Sequence, residues 1–471
     1  MSKCPHCGAE VQYKPDTKKV HCEYCGSDFK VSELLQEAKK AKEREIEDSK
    51  PQISGKAYSC TQCGATLLSF DETAVTFCSY CGSQNMIEEK TMQQTAPEVI
   101  IPFAKTQDEC IRNYKRKISH FIFSPNYMKS DLVVKKFRGI YMPYGIYNLS
   151  YNGDTVNRGK KYNHRSGDYV YYDDYDIHAQ VDASYNGISF DLLSKFYDEY
   201  SHAIPFDYHG AEEFNVNYLP GFYADSKDVE IGTYSPEAIQ IAASDSTHYL
   251  RRKHIYAKYQ CYSPIVNFHV GEKKVGFFPV YFAAIRDKDD KHLHYAIING
   301  QTGEVAADMP IDFAKYIIFS LVLAIPIFFF VNFIPIVLPW VVNLFTIFMA
   351  IVAWIICATQ IAACNDRYNR INDKGFNQVM VEKDENGKFK RKKPEKQYKV
   401  KFSYWSKYLA AILLSFGTIV LNPVSDMFYY GSAVIGLVLI LFSFFDLVKI
   451  HNILVSRPIP QLEKRGGDES E

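Results

Sequence analysis

Eight of the chain's twelve cysteines fall in C-x-x-C pairs, and the pairs form two sets. Cys4-Pro-His-Cys7-Gly8 is answered by Cys22-Glu-Tyr-Cys25-Gly26, and Cys60-Thr-Gln-Cys63-Gly64 by Cys78-Ser-Tyr-Cys81-Gly82, with the same gap inside each set. One module is thus present twice. A C-x-x-C turn holds two thiolates close together, and two such turns brought together by a hairpin complete the tetrahedral four-ligand shell that zinc prefers. The glycine after each second cysteine suits a tight knuckle, where positive φ is easy and backbone amides can face sulfur.

The shells predicted are Cys4, Cys7, Cys22 and Cys25, and Cys60, Cys63, Cys78 and Cys81. A closed four-cysteine shell leaves no position for water, so the expected role of the two zinc ions is structural. Iron in a rubredoxin-like site and a redox dithiol pair are rival uses of the same ligands. The other four cysteines, Cys110, Cys261, Cys357 and Cys364, are scattered and read as ordinary buried or membrane thiols.

The elements that position these cysteines are expected to be two small β ribbons, at residues 1–30 and 56–90, joined by a charged helical spacer at 31–55. The start, Met-Ser-Lys-Cys-Pro-His-Cys, carries no basic segment with an apolar core behind it, so the ribbons are expected in the cytosol, where thiolates stay reduced. Lys plus Arg equals Asp plus Glu at 54 each, so no global field recruits nucleic acid. The second ribbon has no Lys or Arg between Ala57 and Ile87 and carries Asp71 and Glu72, which argues against phosphate binding there.

Residues 98–312 alternate short aromatic or β-branched runs with turn residues and hold most of the 35 tyrosines, a pattern of α+β type with antiparallel sheet. Thr106-Gln-Asp-Glu109 is a capping box and predicts a helix over 107–121; further helices are expected at Ser189–His202 and at Ser235–Leu250. Strands are expected at Gly139–Tyr151, Tyr169–Val181, His254–Cys261 and Val275–Ile285. Within Tyr169–Val181 the alternation sets Asp174, Asp176 and His178 on one face, either a metal site or, more simply, a solvated strand face. A basic concentration from Arg112 to Arg138 could meet lipid headgroups or an acidic partner, or be a solvated surface. No H-E-x-x-H, phosphate loop, G-x-S-x-G or dinucleotide fingerprint occurs, and no small-molecule substrate is evident.

Between Lys315 and Asp366 no residue is charged, and between Lys407 and Asp446 only Asp426 is. Each run is long enough for two membrane crossings. The expected all-α region is four helices in two hairpins, at 313–364 and 405–449, turning near Pro335 and Pro339 and at Asn422-Pro423. The helices themselves are expected near 315–334, 340–362, 405–422 and 428–448. The lysine-rich loop 365–404 and the polar tail 450–471 then share the cytoplasmic side with the N-terminal domains. Neither hairpin carries a cluster of ionisable residues of the kind that marks a transport pathway.

Paired ribbons followed by Ile101-Pro102-Phe103, Tyr141-Met-Pro143-Tyr144, Tyr218-Leu-Pro-Gly-Phe222-Tyr-Ala224 and Asn299-Gly-Gln-Thr-Gly303 resemble the membrane-bound zinc-ribbon proteins of Gram-positive bacteria, over most of residues 1–312. The resemblance implies ribbons of the transcription factor IIB type and a scaffold in the company of flotillin-like or phage-shock-type envelope proteins, and it carries no catalytic residues. The expected function is a non-enzymatic adaptor that recruits protein partners to the cell membrane. The alternative is a membrane-tethered nucleic-acid binder, with an enzyme or transporter behind both.

Overall fold

The computed structural model describes residues 4, 6–31, 51–71, 75, 77–134, 136–252, 258–260, 266–286, 292–331, 338–379, 381–383, 389–391 and 403–460. The first cysteine module is a three-stranded antiparallel sheet of β1 (Gln12–Lys14), β2 (Lys19–His21) and β3 (Asp28–Phe29). Tyr13 and Val20 face each other across β1 and β2, and both are buried, as strand alternation allows.

The second module has no sheet of its own. Its strands β4 (Gln52–Cys60), β5 (Thr66–Ser69) and β6 (Met86–Thr95) belong to a 12-stranded sheet with β7 (Val99–Ile100), β8 (Arg138–Ser166), β9 (Tyr169–Asp191), β10 (Glu212–Glu213), β11 (Tyr223–Ala224), β12 (His269–Arg286), β13 (His292–Asn299), β14 (Val305–Ala307) and, from the end of the chain, β17 (Arg457–Pro458), which pairs with β13. Two-residue β11 bridges the module to the rest, pairing with β5 on one side and β8 on the other. β4 begins inside the stretch read as a spacer; residues 32–50 of that spacer lie outside the described residues.

The sheet is mixed, a correction to the antiparallel expectation. β11 runs parallel to β8, and β7 parallel to β12. Both involve two-residue strands reached by long crossovers, which hairpin signals do not mark.

Helix α1 (Gln107–His120) starts at Thr106 with both capping-box hydrogen bonds in place and buries Cys110, Tyr114 and Ile118 at helical spacing. A single turn, α2 (Asp131–Val134), follows. The expected helix at Ser189–His202 is corrected: β9 keeps its pairing with β8 as far as Asp191, opposite Tyr144, and only α3 (Asp198–Ala203) is helical. Ladder hydrogen bonds to a buried partner strand outweigh helical spacing there. α4 (Ser235–Arg252) forms where its Ser-Pro start predicts. Of the strand expected at His254–Cys261, 254–257 and Cys261 lie outside the described residues, and Gln260 makes only an isolated bridge to Lys160.

The C-terminal part contains α5 (Phe313–Val331), α6 (Pro339–Tyr368), α7 (Lys374–Val379), β15 (Val381–Lys383), β16 (Phe389–Arg391), α8 (Ser403–Leu421), α9 (Asp426–Leu454) and β17 (Arg457–Pro458). Among the described residues three helices are long and apolar enough to cross a membrane: Pro339–Arg367, Tyr404–Leu421 and Asp426–Leu454. α5 carries a shorter apolar stretch, Phe313–Leu323. Pro339 sits in the first turn of α6, where its missing N–H is harmless, and Asn422 turns the chain between α8 and α9 with φ of 43°. α6, α8 and α9 pack on one another. At Gly436 a Cβ would lie 2.7 Å from Thr346 Cγ2, so the helices approach as closely as they do because that position lacks a side chain.

α6 and α9 outrun their expected ends at 362 and 448 because their last turns find partners in the segment that follows β14. Arg367 Nη2 reaches Asp308 Oδ1 at 2.9 Å, and Asn452 exchanges hydrogen bonds with the Ile311 backbone at 2.7 and 3.0 Å. At the start of α5, Lys315 Nζ donates to Ser124 O at 2.6 Å.

Candidate metal centres

All four knuckles fold in one way. The first cysteine's N–H donates to the carbonyl five residues on, and the glycine N–H donates back to that cysteine's carbonyl, at 2.7–2.9 Å throughout. Gly8, Gly26, Gly64 and Gly82 have φ between 68° and 74°, the left-handed region that closes such a turn without strain only for glycine.

The hairpins then bring the knuckles together. Cys4 Sγ lies 3.5 Å from Cys25 Sγ and Cys7 Sγ 3.5 Å from Cys22 Sγ; Cys60–Cys81 and Cys63–Cys78 are each 3.6 Å apart. Within each set all four sulfurs lie within 4.8 Å of one another. Tetrahedral zinc with bonds of about 2.3 Å sets its sulfurs roughly 3.8 Å apart, so the two groups are of the right size to hold one ion each. All eight predicted ligands are brought together, and these are the two such groups among the described residues.

The two shells differ in their surroundings. In the first, Cys4 and Cys22 are buried while Cys7 and Cys25 are exposed. Cys25 Sγ is 3.2 Å from Ser27 Oγ, and the hydrogen bonds with Ser27 lower the Cys25 thiol, while Cys7 in the same group is shifted upward. His21 Nδ1 lies 2.7 Å from Asp28 Oδ1 at the surface. In the second shell all four cysteines are buried. Arg286 Nε donates to Cys81 O at 2.9 Å, and Tyr295 OH donates to Tyr80 O at 2.9 Å. The Tyr80 hydroxyl donates to Asp225, and burial, then that carboxylate, hold the phenol well above its ordinary range.

A curated protein described as uncharacterized protein YdjG, from Bacillus subtilis (strain 168), is 23% identical to this chain over 323 residues. The match covers 66% of this chain and 91% of the relative. No protein-family model matches the chain, and no solved structure matches it.

The remaining candidates fall elsewhere. Asp174 and Asp176 lie opposite Lys160 and Arg158 across the β8–β9 pair, with Arg158 Nε 3.8 Å from Asp176 Oδ1, so that strand face is charge-paired and solvated. Cys110, Cys357 and Cys364 are buried and unbridged; Cys261 lies outside the described residues. In the basic stretch, Lys115 pairs with Asp131 at 3.4 Å and Arg138 lies over the Phe77 ring at 4.3 Å.

The recurring middle motifs converge on packing. The Phe103 ring stacks on Phe222 at 4.1 Å and meets Tyr141 and Tyr281 edge-on at 5.0 and 4.9 Å, while a Cβ at Gly300 would lie 2.5 Å from it. Sequence reasoning missed Tyr80, Asp225 and Arg286, the groups that wall in the second shell. Tyr80 stands in a C-x-Tyr-C pattern that also holds Tyr24, so local sequence carries no mark of its burial.

Proposed function

We propose that the protein is a non-enzymatic membrane adaptor: zinc in both four-cysteine shells holds the ribbons in shape, and the helices fix them at the cytoplasmic face of the cell membrane. The full reading has four crossings in two hairpins, α5 being the fourth, with the N-terminal domains, the lysine-rich loop and the C-terminus in the cytosol. The ribbons are taken as transcription factor IIB type and the partners as proteins, flotillin-like or phage-shock-type envelope components among them. The observation that carries the reading is the asymmetry of the ribbons. The second is walled into the sheet, while the first presents Cys7, Tyr24 and Cys25 to solvent on a body tied directly to the helix ends. A closed metal shell offers no site for chemistry, so an exposed face of this kind serves contact.

The test is photo-crosslinking in cells from position 24 of the full chain. Recovery of a reproducible membrane or envelope-stress protein supports the adaptor. A chain that repeatedly crosslinks to nothing, or surface labelling of the lysine-rich loop from outside intact cells, overturns the reading.

A further inference from the structure

Where the last turns of α6 and α9 meet the sheet, a cavity of about 530 Å³ opens between Ala363, Leu454, Tyr197 and three guanidinium groups, those of Arg367, Arg370 and Arg457. Arg367 Nη2 is matched by Glu199 Oε1 at 2.7 Å and Asp308 Oδ1 at 2.9 Å. Arg370 pairs with Asp373 and donates to the carbonyls of Ser194 and Phe196 at 2.8 and 2.6 Å. Asp198 and Asp366 also line the cavity. Asp198 accepts from Tyr234 OH at 2.8 Å and from Lys374 N at 2.9 Å, so both its oxygens are already hydrogen-bonded within the protein.

Arg457 is different. It is 2% exposed, its guanidinium lies 4.0 Å over the Tyr197 ring, and it pairs with Glu199, yet its Nε has no hydrogen-bond partner among the described residues. A buried charged donor left without an acceptor is costly, and an incoming acceptor recovers that cost. Burial pushes this guanidinium down to about 10, a sign of how poorly the protein alone solvates it.

We propose that this cavity binds a phosphate-bearing anion, with Arg457 as its anchor. A planar guanidinium fork matches phosphate oxygens two at a time. Glu199, with a side chain 44% exposed, is the carboxylate that the anion would displace into water. Two sources share this chemistry. The cavity lies at the ends of helices read as membrane-spanning, where phospholipid headgroups are found, and it is open to soluble phosphate as well.

The experiment uses the full zinc-loaded chain, delipidated in detergent. In one arm, native mass spectrometry counts molecules retained from mixed micelles of phosphatidylglycerol or of a glycosyl diacylglycerol that lacks phosphate. In the other, thermal melting is followed with inorganic phosphate. The expected result is either a preference of about tenfold for the phospholipid or a phosphate-dependent rise in melting temperature. Lipid retention alone assigns the headgroup, and a phosphate effect alone assigns the soluble ion. R457M abolishes the effect with zinc content unchanged. Should that variant fail to fold, A363W fills the cavity without touching the arginine and gives the same loss. No retention and no shift in the unaltered chain, or binding that survives either variant, overturns the proposal.

Discussion

The two cysteine modules are nearly the same object locally and differ in what surrounds them. Both second knuckles read Cys-x-Tyr-Cys-Gly, but Tyr24 is 83% exposed and Tyr80 is 1% exposed. The first module's strands form their own small sheet, whereas the second's strands are one end of the 12-stranded sheet. The motif therefore sets the cysteine shell, and the strands leading into it decide whether that shell is packed against the sheet through side chains such as Tyr13, with one face in solvent, or built into the sheet itself. Zinc bound in the first module would stabilise that module; zinc bound in the second would stabilise the large sheet as well, since folding and binding are linked wherever the site exists only in the folded state.

The largest expected effect follows directly. C78S should lose one zinc per chain and take with it the near-ultraviolet circular dichroism of the tyrosine-rich sheet, because structural zinc contributes on the order of 10 kcal/mol, comparable to the stability of a whole domain. C25S should also lose one zinc but leave that signal and the main melting transition in place. Equal damage from both variants would break the distinction between the modules.

Metal removal gives the next effect. With a strong chelator in excess, zinc release from the unaltered chain should be biphasic, the first ion leaving at least about tenfold faster, because burial of the ligands and the hydrogen bonds around them govern metal retention. C25S should delete the fast phase and C78S the slow one. A single phase in the unaltered chain contradicts the structural difference between exposed Cys7 and Cys25 and the four buried ligands of the second shell.

What the sequence revealed of this contrast was its local half. Spacing alone picked out the eight cysteines that the structure gathers into two groups of four, because a knuckle is closed by hydrogen bonds within five residues of its first cysteine. The Thr106–Glu109 capping box marked the start of α1 for the same reason. The environment of the second shell was not legible, since Asp225 and Arg286 lie 145 and 205 residues from Tyr80 and Cys81. The segment Ser189–His202 misled because its strand half is fixed by register with Tyr144, a partner no local pattern specifies. Apolar composition likewise announced the long apolar helices but not where their ends dock. Arg367 and Arg457, the residues at that junction, sat in stretches read as a basic loop and a polar tail.

A smaller effect isolates the equivalent tyrosines. Y80F removes the hydroxyl that meets Asp225, a carboxylate with no exposure, and should cost about 1–3 kcal/mol in the main unfolding transition, the usual penalty for stripping a partner from a buried polar group. Y24F should leave that transition where it is, because the ring is in water already. Denaturant unfolding with unchanged slope is the readout, and a Y24F shift matching that of Y80F would show that the Tyr24 ring is covered in solution.

The smallest effect concerns the surface pair of the first module. The hydrogen bond from His21 holds the Asp28 carboxyl below its usual value. A carboxyl whose folded pKa lies below the unfolded value, about 3.9, stabilises the fold above that pH and loses its contribution as pH falls through the folded value. D28N should therefore make the fast zinc-release phase slightly faster at pH 7, and the gap from the unaltered chain should close in acid. Both side chains are partly in solvent, 22% and 44% exposed, so screening keeps the difference small and 1 M salt should shrink it further. The slow phase should not respond at all. If D28N altered the slow phase, the surface of the first ribbon would be coupled to the walled-in shell of the second, and treating the modules as independent metal sites would be wrong.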